Sequence, residues 1–171
     1  MAQGVADLRD TLRLLRERGV QQLGLFAGSL GVNLSLHAAR FEADASRPTF
    51  DFVVAMIPLV DWNALVFERP EFEGLRARLE AAGVARRLRQ TYADLDLSAL
   101  ESPVPPGRVA VIAAAWDQVT PSGPRERWQR AWGVKAVSVL ERGHGTVLLG
   151  AALRREARQR LVEAWDRLEG P

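Results

Sequence analysis

Three residue types that can perform acyl transfer together lie far apart in this chain. Ser29 stands in Ala27-Gly28-Ser29-Leu30-Gly31, Asp117 in Ala115-Trp116-Asp117-Gln118-Val119-Thr120-Pro121, and His144 in Gly143-His144-Gly145-Thr146. A serine hydroxyl alone is a weak nucleophile. It needs a base to take its proton, and that base needs an acid to fix its tautomer and orientation. The chain offers hydroxyl, carboxylate and imidazole in the order Ser, Asp, His, one of the orders in which such triads occur.

The elements that must position these groups are readable. Gln22 to Ala27 is a short apolar run that suits a strand buried on both faces, and residues 30–40 read as a helix. Ser29 therefore falls on a tight strand-to-helix turn, where small neighbours such as Ala27 and Gly31 are needed. A helix starting there aims unpaired N–H groups at whatever the hydroxyl attacks, and the Leu30 N–H is the natural oxyanion donor. Residues 108–115 and 135–140 read as further strands, with Asp117 after the first and His144 after the second. The Asp-to-His spacing, 144 − 117 = 27 residues, holds one helix and one strand. Parallel strands place their C-terminal ends together, so all three loops are expected at one edge of one sheet.

The remaining segments complete the same pattern. Residues 5–18 read as an amphipathic helix ended by Gly19, 50–59 as a buried strand, 124–132 as a helix and 146–168 as one long helix. Residues 62–101, with Pro70, Gly74 and Gly83, read as short helices inserted above the sheet. Pro103, Pro105, Pro106 and Gly107 form a stiff connector. The expectation is one α/β domain over 1–171, a parallel sheet with helices on both faces and a helical cap-like insertion at 62–101.

These residues resemble the α/β-hydrolase superfamily. The strand, turn and helix of 22–40 look like its nucleophile elbow. The Asp117 segment, with Val119 and Pro121, is similar to its acid loop, and Gly143-His144-Gly145 to its histidine loop. Gly28-Ser29-Leu30-Gly31, Ile57-Pro58-Leu59-Val60-Asp61 and Trp132 look most like the ABHD-type branch. The resemblance implies an esterase-like serine hydrolase with Ser29, Asp117 and His144 as triad and no cofactor. Ala27 stands where the pattern has glycine. The resemblance also implies four strands ahead of the elbow, where this chain has room for one helix, and a second oxyanion donor from a loop it lacks. Strand 22–27 would then carry a bare edge. A fragment or misassigned start, a second copy pairing across that edge, or another chain supplying the missing half would each account for it, and the first is preferred.

Composition narrows the classes. The chain has 171 residues, 47% apolar and 26% charged, and a net charge of +2 from 23 basic and 21 acidic residues. Lys135 is the only lysine, and the arginines are interspersed with acids, so no nucleic-acid footprint emerges. With no cysteine, disulfides, thiolate metal ligands and a thiol nucleophile are excluded. No apolar run is long enough to span a membrane, and a cytoplasmic location is expected.

Rival readings remain open. Asp61 also follows a strand and is the alternative acid. His37, eight residues after Ser29, is expected to be a surface or half-buried helix residue. Trp62 and Trp116, beside the two candidate acids, are candidates to line a pocket. Leu65, Val66 and Phe67 hint at an apolar acyl or alcohol group. Asp94 and Asp96 read as loop acids, and no metal site is expected. Two function classes follow: a serine hydrolase acting on a small-molecule ester or related acyl substrate, or a truncated, non-catalytic module of the same fold that binds a partner chain.

Overall fold

The computed structural model describes residues 2–42, 48–105 and 107–169; Pro106 of the expected connector lies outside them. In chain order they form α1 (Ala2–Glu17), β1 (Gly24–Gly28), α2 (Leu30–Glu42), β2 (Phe52–Met56), α3 (Glu73–Ala81), α4 (Ala85–Ala93), β3 (Val109–Ala114), α5 (Ser122–Ala131), β4 (Ala136–Leu140), α6 (His144–Leu149) and α7 (Ala151–Glu169). The strands pair in the order β1-β2-β3-β4, all parallel. Ala27 lies opposite Ala55, Ala55 opposite Val111 and Val111 opposite Val137.

The two central strands, β2 and β3, are buried throughout, as expected of parallel strands covered on both faces. On one face Val53, Ala55, Val109 and Val111 pack against Leu12 of α1, Val32 and Leu36 of α2 and Trp128 of α5. On the other, Val54, Met56, Ala110 and Ile112 pack against Leu153, Ala157 and Ala164 of α7. Each such large apolar side chain contributes about 1.5–3 kcal/mol by leaving water. Arg9 and Arg13 of α1 both bond Glu42 at the end of α2, at 2.6 and 2.9 Å, and tie the two helices together.

Two boundaries and one strand's burial differ from the sequence reading. The long helix over 146–168 is two helices, because Gly150 takes an extended backbone (φ −81°, ψ 140°) and its N–H bonds back to Val147. The strand over 50–59 stops at Met56, where Ile57 turns to φ +38°. β1 is less buried than its apolar run implies. No strand lies outside it among the described residues, and Phe26 is 46% exposed.

Between β2 and β3 the chain makes a π turn (Ala64–Glu68), α3, α4 and short 3-10 turns. α3 and α4 bury no residue fully. Within this insertion Trp62 stacks on Tyr92, with ring centroids 5.7 Å apart, and Arg89 lies over the Phe67 ring at 3.9 Å. Asn33 of α2 donates to the Leu95 carbonyl at 3.1 Å and anchors it from below.

Candidate active site

β1 delivers Ser29 onto a turn with φ +48°, in the left-handed region where a side chain costs energy. The turn is locked by its neighbour strand. The Ser29 N–H donates to the Met56 carbonyl at 2.9 Å, and the Leu59 N–H donates to the Ser29 carbonyl at 3.2 Å. The small residues around it are less crowded than the spacing implies: a Cβ on Gly31 would meet that of Ala27 at 3.8 Å, ordinary contact. The Leu30 N–H opens α2, ahead of its hydrogen-bond ladder, where helices leave donors unpaired.

β3 and β4 deliver the other two side chains. The Ala115 N–H donates to Leu140 at 2.8 Å and the Trp116 N–H to Arg142 at 3.0 Å, which sews the Asp117 loop to the His144 loop. Thr146 shapes the latter, since its hydroxyl accepts from the Gly143 N–H at 3.0 Å. The three side chains meet in series. Ser29 Oγ lies 3.1 Å from His144 Nε2, and His144 Nδ1 lies 2.9 Å from Asp117 Oδ2 and 3.0 Å from Oδ1. With its proton on Nδ1, the imidazole donates to Asp117 and leaves Nε2 to accept from the serine hydroxyl. The side chains of His144 and Asp117 are 15% and 4% exposed, so this pair is largely withdrawn from water.

Burial alone would push the Asp117 carboxyl up. The Thr120 hydroxyl, the Thr120 N–H, His144 and the Val119 N–H outweigh it and hold the group below the usual carboxylate range. Asp117 is thus a persistent anion beside the imidazole.

The alternative acid is engaged elsewhere. Asp61 accepts from the Ala64 N–H at 3.0 Å and from Arg127 at 2.9 Å. His37 is buried rather than half-exposed, and burial pushes its pKa down, against a weaker upward pull from the Leu95 carbonyl. Trp116 stands 63% exposed beside the acid, whereas Trp62 donates to Asn33 at 3.3 Å and packs on Tyr92. Val66 and Phe67 are buried, so the apolar triplet is packing more than lining. Asp96 caps the turn at Ser98. Among the described residues no cluster of three or more metal-ligating side chains occurs. Among the described residues no helix is long and apolar enough to cross a membrane. Reading Asp117 as a turn residue capping toward Thr120-Pro121 is thus compatible with its place beside His144, whereas nothing in the sequence reading singled out Thr146.

No protein-family model and no curated protein matches this sequence. Solved structures do. The α/β hydrolase GrgF from Penicillium sp. sh18 superposes with a TM-score of 0.64 at 14% identity, over 95% of this chain and 70% of its own. The Pyrococcus furiosus esterase Pf2001 gives 0.59 at 16%, over 95% and 61%. A Mycobacterium tuberculosis puromycin-hydrolyzing peptidase gives 0.60 at 18%, over 82% of this chain and 22% of its own. The chain thus spans less than two thirds of two of these three proteins. Four parallel strands in register, helices on both faces and these superpositions together establish that the chain has the α/β-hydrolase fold, matched over part of its neighbours' length.

Proposed function

We propose that this chain is the catalytic part of a serine hydrolase acting on an ester or related acyl compound. The observation that carries the reading is the unbroken series Ser29 Oγ, His144 Nε2, His144 Nδ1, Asp117, with separations of 3.1 and 2.9 Å. In this mechanism Ser29 Oγ attacks the acyl carbon while its proton passes to His144 Nε2. Asp117 holds the Nδ1 proton and favours the imidazolium. The Leu30 N–H donates to the oxyanion. His144 then gives its proton to the departing alcohol, leaving an acyl-serine. Water, deprotonated by the same nitrogen, releases the acid and restores the serine. We assign the 62–101 insertion the role of a cap over this edge, and the chemistry requires no cofactor.

A second reading is favoured by one observation, the uncovered outer edge of β1 beside exposed Phe26. In that reading the chain binds a partner across this edge and does not turn over substrate.

A fluorophosphonate probe separates the two. Labelling of wild type that disappears in Ser29→Ala supports the hydrolase. Equal labelling of both proteins, or of neither, overturns it.

A further inference from the structure

We infer that Thr120 is a positioning residue that fixes the carboxylate of Asp117 and, through it, the imidazole of His144; this rests on the serine-hydrolase reading and deepens it. A carboxylate on a free side chain rotates, and an acid that rotates cannot hold a histidine ring in one orientation. At Asp117 the donors divide between the two oxygens. Oδ1 accepts from the N–H groups of Val119 and Thr120, each at 2.8 Å. Oδ2 accepts from the Thr120 hydroxyl at 2.6 Å. What remains of both oxygens faces His144 Nδ1, at 3.0 and 2.9 Å.

The two amides are what any tight turn after an aspartate provides. They would close the loop whatever residue stood at 120. The hydroxyl is different, because it is a side-chain donor and it holds Oδ2, which the two amides leave free. It is also held firmly. Thr120 is 6% exposed, and a β-branched side chain has few rotamers to choose from. Pro121 follows, and α5 then begins, anchored by buried Pro124 and Trp128. The position of the hydroxyl is therefore set by the core. Arg69 of the insertion is the nearby cation whose charge reaches Asp117; its guanidinium is already bonded to Glu71, at 2.9 Å for the closer contact.

The test compares Thr120→Val, which removes only the hydroxyl's bonding, with Thr120→Ser, which restores it. Two readouts are taken on the full chain: the rate of fluorophosphonate labelling, and the far-downfield proton resonance of an imidazole Nδ1–H bonded to a carboxylate. Small displacements of a catalytic group cost up to ~10²-fold in rate. Thr120→Val is expected to label about tenfold or more slowly and to lose or shift the downfield signal, while Thr120→Ser recovers both. A valine variant with the wild-type signal and labelling rate overturns the inference. So does a serine variant as impaired as valine, since the hydroxyl would then not be what matters. If wild type is not labelled at all, the hydrolase reading falls. The downfield signal still decides whether Thr120 orients the pair.

Discussion

The N–H of Leu59 donates to the carbonyl of Ser29 across 3.2 Å, so the chain leaving β2 grips the turn that leaves β1. The grip is reciprocal, since the Ser29 N–H bonds Met56 at 2.9 Å, and the Ile57 N–H in turn bonds Ile112 of β3 at 2.7 Å. Three strand ends thereby hold two residues at positive φ, Ser29 at +48° and Ile57 at +38°. Strain of this kind persists only where the surroundings over-determine it, and it collects at functional turns.

This gives a stability prediction at the nucleophile. Ser29→Ala and Ser29→Gly both lose the bond to His144, but only glycine relieves the left-handed backbone. Ser29→Gly is expected to be more stable than Ser29→Ala by about 1 kcal/mol, the reverse of the order inside a helix or strand. Urea unfolding of the two variants measures the difference. Equal midpoints would mean the turn relaxes and stores no strain.

The two candidate acids make opposite predictions. Asp117→Asn keeps an acceptor on the turn but turns the wrong face to His144, and labelling is expected to fall by up to roughly 10⁴-fold, as in triads whose acid is made an amide. Asp61→Asn keeps the acceptor for the Ala64 N–H and loses the charge that pairs with half-exposed Arg127. Its cost is therefore in stability, about 1 kcal/mol or less, with labelling near wild type. Side-by-side labelling and thermal unfolding decide between them. A larger labelling loss at Asp61 would reverse the assignment.

The sequence made the architecture legible because β2 and β3 are apolar runs bounded by Pro, Gly and charged residues, and those strands are central. It also brought Ser29, Asp117 and His144 to one sheet edge, through chain order and the parallel rule. What it did not reveal was set by contacts between distant segments. Nothing local marks Ile57 as the residue where β2 turns; the bond to Ile112 and the grip of Leu59 on Ser29 hold it there. Gly150 could equally have been tolerated inside a helix, and only the docked structure has the helix break there. His37 looks like a surface residue until the insertion folds over α2 and places Leu95 against it.

That burial predicts an acid weakening. His37 has its pKa lowered below 6.5, first by burial, and the Leu95 carbonyl offsets this only in part while Arg40 adds to it. The folded state thus binds fewer protons at this site than the unfolded state. Its contribution is complete above about pH 6.5 and declines as the pH falls toward the lowered folded value. Melting temperature is expected to drop as the pH falls below about 6.5, and His37→Gln to flatten this drop. The carboxylates with lowered values, Glu42, Glu71, Asp117 and Glu163, lose their contributions only further down, below about 4.5. A variant whose melting temperature falls as steeply as wild type over that window would remove His37 as the cause.

The last prediction concerns the outer edge of β1. Strand edges with free N–H and C=O groups pair with other strands unless charge, proline or a cover prevents it. β1 carries neither charge nor proline, Gly24-Leu25-Phe26-Ala27-Gly28, and among the described residues no strand lies outside it. Phe26 shares a sheet face with Val54, and the exposed Val162 and Trp165 of α7 flank that face. The chain of 171 residues, studied by itself, is therefore expected to self-associate with rising concentration. Phe26→Lys places a charge where pairing would bury it, and leaves the backbone bonds to β2 intact. Sedimentation velocity across a concentration series should show the wild type shifting to larger species and the lysine variant staying monomeric. The same association in both would mean that this edge is not the contact, and the surface of α7 or the insertion would have to carry it instead.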